Sequence, residues 1–289
     1  MRRANLIAKN NLSRCIATIV LYAITAIIIF PIFWMLMTSF KPSAEWVTYP
    51  PTWIPQNWTL NNYSSVIFGG NTSQGMFESS MGPYLNTFLI SVIATVIGVS
   101  IGLLAAFGLS RFRDNKVSSM ISFMMPRMFP PIAMIIPMMI FFQFLHLIDT
   151  YFGLMIVYVG FTLPYSIFMI KGFMDGLPIE LSEAAELDGM SNFKMLFKVW
   201  IPNIKNGLMT TTLFLFVLNC QEYIFATTLA GRQIETVTIS IAKMFSNQAG
   251  TFYGPQAALG MMAAIPTIIF GIIIHKSLAY GFTFGALKR

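Results

Sequence analysis

Charge is what this sequence has least of. Asp, Glu, Lys and Arg make up 10% of its 289 residues, against 56% hydrophobic and 15% aromatic, and the mean hydropathy is +0.68. One soluble core cannot hide so many apolar side chains, and so few charges cannot cover a soluble surface. Soluble classes are therefore excluded, leaving a polytopic membrane protein. Histidine and cysteine are also sparse, with two of each. His146 and His275 are far apart, and Cys15 and Cys220 lie in or beside different apolar runs. That pattern offers neither a metal-ligand cluster nor a disulfide pair, so no catalytic residue and no metal site is assigned. The sequence also has no Gly-Lys dipeptide, which a phosphate-binding P-loop needs before its Ser or Thr. We therefore expect no cofactor on this chain.

Long apolar runs are what it has instead. Six are found, at about 16–40, 85–110, 118–145, 153–174, 207–230 and 258–280, each close to or beyond the ~20 helical residues that cross a 30 Å hydrocarbon core. Runs of this length are helices rather than barrel strands, because lipid cannot satisfy open backbone groups. The first run follows Arg2, Arg3, Lys9 and Arg14, as a secretory signal would. Its apolar stretch from Cys15 to Met37 is too long for one and has no small-residue cleavage site, so it reads as an uncleaved span. The predicted fold class is an all-α polytopic membrane protein, one domain over 1–289 with six transmembrane helices.

The bases orient it. Arg2, Arg3, Lys9 and Arg14 precede span 1, and Arg111, Arg113 and Lys116 join spans 2 and 3. Lys171, Lys194, Lys198 and Lys205 join spans 4 and 5, and Lys276, Lys288 and Arg289 end the chain. Fourteen of the eighteen bases thus share one face, which places both termini in the cytoplasm. The net charge of +7 follows from this topology and gives no reason to expect a nucleic-acid partner.

Several segments break the apolar pattern. The outer loop 41–84 carries Pro42, Pro50, Pro51, Pro55 and three tryptophans; it predicts ordered turns with interfacial anchors, serving either an extracytoplasmic partner or as a cap. Span 3 contains Pro126, Pro130, Pro131 and Pro137, so it must kink or break. Broken backbone at membrane depth commonly lines a protein-enclosed cavity, and Arg127 lies within this span. Its methionines read as adaptable packing, not metal ligands. Span 5 places Asn219, Gln221, Glu222 and Tyr223 in its outer half. A carboxylate at that depth points either to a solute pathway or ion relay, or to a hydrated position near the interface; Asn86 and Gln143 are weaker cases.

The acids are also concentrated. Five of eleven, Asp175, Glu180, Glu183, Glu186 and Asp188, fall within fourteen residues on the cytoplasmic side. Pro178 suits a first helical turn and Gly189 a left-handed stop, which predicts a short helix over 179–188 with its acids near the positive end of the dipole. Ser191 caps a second short helix over 192–199, and Pro202 restarts the chain toward span 5. Ala184 and Ala185 would permit close approach by another protein. A lipid-lying helix would be basic rather than acidic, since the inner leaflet is negative.

The stretch "EAAELDGM", with "WIP" a dozen residues on, resembles the cytoplasmic EAA loop in the membrane subunits of binding-protein-dependent ABC importers. Glu183, Ala184, Ala185, Asp188, Gly189, Ile201 and Pro202 match its spacing. Met190 replaces the usual small residue, and Asn206 stands where a second proline is common. "FPIFWMLMTSFKP", "NWTLNNYSSV", the second span and "GFTFGALKR" resemble the sugar-importing branch, in particular its maltose-type permease with six spans. That branch usually has W-N-[DE]-[FY] in span 5; here the tetrad is Cys220, Gln221, Glu222 and Tyr223, which implies an unlike solute pathway.

The resemblance implies a coupling loop over 175–206 that docks on an ATPase through Glu183, Ala184, Ala185, Asp188, Gly189 and Pro202. It also implies a second related permease, two ATPase subunits that bind ATP and Mg, an extracytoplasmic solute-binding protein and membrane lipids as partners. The outer loop 231–257 would reach into the binding protein's cleft, and the tail "GALKR" would touch the ATPase pair. The implied solute is an oligosaccharide, and the text is most similar to alginate-type importers, where Arg127 makes sense as a pathway residue beside Asn219, Gln221, Glu222 and Tyr223. Two rival readings remain: an ion-coupled secondary transporter using Glu222, and a non-transporting membrane scaffold.

Overall fold

The structure, a computed structural model, describes residues 2–72, 75–111, 117–230, 233–245 and 252–283. The tail "GALKR", Arg232 and residues 246–251 of the second outer loop lie outside the described residues. The chain forms two compact units, one of residues 1–79 with 244–262 and the other of 80–243 with 263–289.

In the first unit, helix α1 (Arg2–Ser39) includes the first predicted span, and no residue from Arg14 to Met37 is buried within the chain, whereas Thr38 and Ser39 at its end are. The outer loop that follows is ordered, as its prolines and tryptophans predict. It contains α2 (Asn61–Phe68) and a hairpin of β1 (Gly70–Thr72) and β2 (Gly75–Phe77), antiparallel with Gly70 opposite Phe77. Lys41 and Glu45, both buried, hold the loop together. Lys41 Nζ donates to the Thr52 carbonyl and lies 4.1 Å from the Trp34 ring centre. Burial lowers its pKa, and Glu45 opposes that shift. The Glu45 carboxylate accepts from the backbone N–H of Gln56 (2.9 Å) and Asn57 (3.1 Å). A Cβ at Gly254 would collide with Asn62 and Trp46, so only glycine fits there.

In the second unit, α3 (Met81–Arg111), α6 (Tyr151–Met174) and α9 (Ile201–Cys220) pack on one another. A stripe of small residues on α3 lets the backbones approach: Ser91, Ala94, Thr95, Gly98, Gly102 and Ala106 are all buried. Gly102 faces Ser166 of α6, and Gly98 faces Leu215 of α9 and Thr162 of α6. Predicted span 3 is broken into α4 (Val117–Met128) and α5 (Pro131–Phe144) with a 96° bend at Phe129–Pro130, where the prolines require it. The connection between α6 and α9 forms α7 (Glu180–Leu187), α8 (Asn192–Met195) and a π-helical turn (Leu196–Trp200) that runs straight into α9.

Predicted span 5 is discontinuous as well. α9 ends at Cys220, and α10 (Ile224–Leu229) begins after a short break. α11 (Val237–Phe245) and α12 (Tyr253–Thr283) follow. Among the described residues four helices are long and apolar enough to cross a membrane, five if α4 and α5 form one span. α9 is not among them, because its polar residues dilute its apolar run.

Candidate functional sites in the cytoplasmic joint and the membrane interior

The acidic segment builds a rigid joint. α7 stops in a Schellman arrangement: Met190 N–H donates to the Ala185 carbonyl (3.0 Å) and Gly189 N–H to that of Glu186 (2.9 Å), with Gly189 at φ +68°. Ser191 Oγ accepts from Lys194 N–H (3.4 Å) and caps α8. The joint is rooted in the bundle through Ala185, Met195, Leu196 and Trp200, which pack with Ala106, Phe107, Ile170 and Met174. The Trp200 ring meets Phe107 edge-on at 5.3 Å.

This rooting corrects the reading of the alanines. Ala184 is exposed, but Ala185 is 3% exposed and faces inward, so the close approach it permits is to this chain's own core. Glu183, Asp188, Gly189 and Pro202 are all exposed, the last in the first turn of α9.

The acids divide into two sets. Glu186 pairs with Arg111 at the end of α3. Asp175 pairs with Lys171 and accepts from Ser110 Oγ (2.7 Å). Among the described residues Glu180, Glu183 and Asp188 have no ion pair. A groove of about 550 Å³ beside α7 is lined by Ser110, Arg111, Asp175, Glu183, Glu186 and Trp200. The free carboxylate of Glu183 borders it.

Around the end of α9 the structure separates residues that the sequence places together. Asn219 is 1% exposed and its Nδ2 donates to Thr95 Oγ1 (3.0 Å), tying α9 to α3. The Glu222 carboxylate accepts from Phe225 N–H and Ala226 N–H, both at 2.9 Å, and so caps α10. A carboxylate held by two helix N–H groups is stabilised where it stands, which suits a wall better than an ion relay. Gln221 and Tyr223 are exposed.

Arg127, near the end of α4, lies over two rings of α6. Its guanidinium carbon is 3.3 Å from the Phe161 ring centre and 4.4 Å from that of Tyr165. Nε and Nη1 are buried and have no hydrogen-bond partner.

One anchor has only a faint mark in the sequence. Asp149, at φ +57°, accepts from Gln233 N–H (2.7 Å) and Ile234 N–H (3.1 Å), while Asn86 Nδ2 donates to the Glu235 carbonyl (3.0 Å). Together with Thr87 Oγ1, which accepts from Val237 N–H (2.8 Å), they pin the base of the second outer loop to the ends of α3 and α6. A lone acid in a short outer turn was its one signal.

Residues 98–280 match the model of the family described as binding-protein-dependent transport system inner membrane component. The inner membrane ABC transporter permease protein YcjP of Escherichia coli is 30% identical over 91% of this chain and 92% of its own length. The trehalose transport system permease protein SugB of Mycobacterium tuberculosis is 29% identical over 89% of this chain and 92% of its own. Among solved structures, a chain of a bacterial ABC transporter involved in the import of the acidic polysaccharide alginate shares the fold, with a TM-score of 0.75 at 20% identity over 93% of this chain and 97% of that one. A chain of a bacterial alginate ABC transporter in complex with an alginate pentasaccharide-bound periplasmic protein has a TM-score of 0.60 at 12% identity, covering 91% and 93%.

Proposed function

This chain belongs to the family of binding-protein-dependent transport system inner membrane components, and from that premise we propose that it moves an oligosaccharide into the cytoplasm by alternating access. It is a multi-pass inner-membrane permease subunit of an ABC importer, not an enzyme. In the proposed assembly it pairs with a second related permease and two ATPase subunits that carry ATP and Mg, and it receives solute from an extracytoplasmic binding protein. Six spans, α9 included, cross the lipid with both termini in the cytoplasm.

The observation that carries this reading is the exposed, unpaired Glu183 on a helix whose other side is locked into the bundle. Such a helix transmits a push, because its inner face cannot slide without disturbing a close-packed core. Glu183, Ala184, Asp188 and Gly189 form the docking surface, while Ala185 and Pro202 hold its angle. We place the solute pathway along the α4–α5 break and the outer half of α9, with Arg127, Gln221 and Tyr223 open to it and Asn219 and Glu222 bracing its wall. An acidic oligosaccharide such as alginate is the favoured solute, supported by the fold shared with the alginate importer and by a cation in the pathway. The ion-coupled alternative finds no support, since Glu222 serves as a helix cap and the relatives are ABC permeases.

Gentle purification of a tagged copy from native membranes, followed by mass spectrometry, tests this. A stoichiometric ATPase and a second permease are expected. A monodisperse protein reproducibly free of any ATPase would overturn the reading.

A further inference from the structure

Arg127 is a half-buried cation with no anion among the described residues. Ten residues into α4, it lies roughly 15 Å from the start of that helix at 1.5 Å per residue. Phe161 is likewise ten residues into α6, again roughly 15 Å from its end. Both positions are close to the middle of a 30 Å hydrocarbon layer. Among the described residues no carboxylate pairs with Arg127, and two of its nitrogens are buried and unsatisfied. A charge at this depth is costly and is retained where it meets a partner or a permeating solute.

The surroundings fix how it would bind. Phe161 and Tyr165, one turn apart on α6, stack beneath the flat face of the guanidinium. Phe161 is itself wedged edge-on against Phe225 of α10 (5.1 Å), and Tyr165 against Phe214 of α9 (5.6 Å). These contacts hold the guanidinium in place while Nε and Nη1 stay covered and unsatisfied, so a carboxylate that reaches them would be taken in charge-assisted bonds. A lipid phosphate is too far away, because an arginine side chain cannot span half a bilayer. The 96° break that follows at Phe129–Pro130 opens backbone at the same depth, as sites in transporters do.

We propose that Arg127, seated on Phe161 and Tyr165, is a carboxylate-binding subsite in the permeation pathway that takes the acid group of a uronic-acid sugar. This rests on the oligosaccharide-importer reading above, and its test separates the two. The purified importer, this chain with the subunits that accompany it, is placed in proteoliposomes with its binding protein. Uptake of an oligouronate is compared with uptake of its carboxyl-reduced, neutral counterpart. The wild type should favour the acid form at least tenfold. Arg127→Gln should lose at least tenfold on the acid form and stay within twofold on the neutral one, and Arg127→Lys should recover part of the loss. An equal fall on both sugars, or no fall on either, would overturn the subsite. Loss of the second permease from purified Arg127→Gln would overturn it too, by showing that the anion is a subunit carboxylate. A wild type that carries neither sugar would overturn the importer reading itself.

Discussion

Glu183 and Glu186 stand three residues apart on α7, yet Glu186 is tied to Arg111 of α3 whereas Glu183 has no ion pair among the described residues. The same contrast separates the α7 end of the bundle from the α4–α6 contact. At the α7 end Arg111 and Lys171 each meet a carboxylate; at the α4–α6 contact Arg127 has aromatic faces and, among the described residues, no acid. Arg111–Glu186 connects α3 to α7, and Asp175, paired with Lys171 at the end of α6, reaches α3 by accepting from Ser110 Oγ. In the proposed function, Glu183 and Arg127 are the unpaired charges that a partner and a solute would complete. An exposed ion pair is worth little in stability, so Arg111–Glu186 is better understood as a strut setting α7 against α3.

The contrast can be broken at several points, and the effects should differ in size. Gly189→Pro should have the largest: it forbids φ +68° and removes the N–H given to Glu186, so α7 loses its stop. Uptake should fall to background while circular dichroism and size exclusion still report folded helices. Arg111→Ala should reduce uptake by about fivefold to tenfold, on the order of 1 kcal/mol of coupling. Exchanging the charges as Arg111→Glu with Glu186→Arg should restore more than half of the uptake; a swap no better than the single variants would remove the strut. Asn219→Ala should have the smallest effect, lowering stability by about 1 kcal/mol through loss of the bond to Thr95, with near-normal uptake. A thermal melt in detergent reads the first and an uptake assay the second.

Local rules made part of this legible in advance. Pro178, Gly189 and Ser191 mark the ends of α7 and α8 because caps and left-handed stops depend on a few adjacent residues. The break in span 3 was readable because proline removes a donor wherever it stands. The break in span 5 was not, since no proline or glycine marks it. Instead Glu222 turns its carboxylate to the N–H groups of Phe225 and Ala226, a choice between side-chain and helix bonding that tertiary packing decides. Arg111 with Glu186, Asp149 with Gln233 and Ile234, and the inward turn of Ala185 are all pairings between distant segments. Helical spacing gives the face of a residue but not which face the bundle covers, and so Ala184 and Ala185 read alike in sequence and part in the structure.

The central claim is that the unpaired acid on α7 couples this permease to its motor. The most direct measurement takes the intact importer carrying Glu183→Ala, in proteoliposomes with its binding protein, and reads ATP-driven uptake together with subunit stoichiometry. The account predicts uptake reduced at least tenfold, with Glu186→Ala milder and the helices intact. Uptake at the wild-type rate, with the ATPase bound as before, would contradict it.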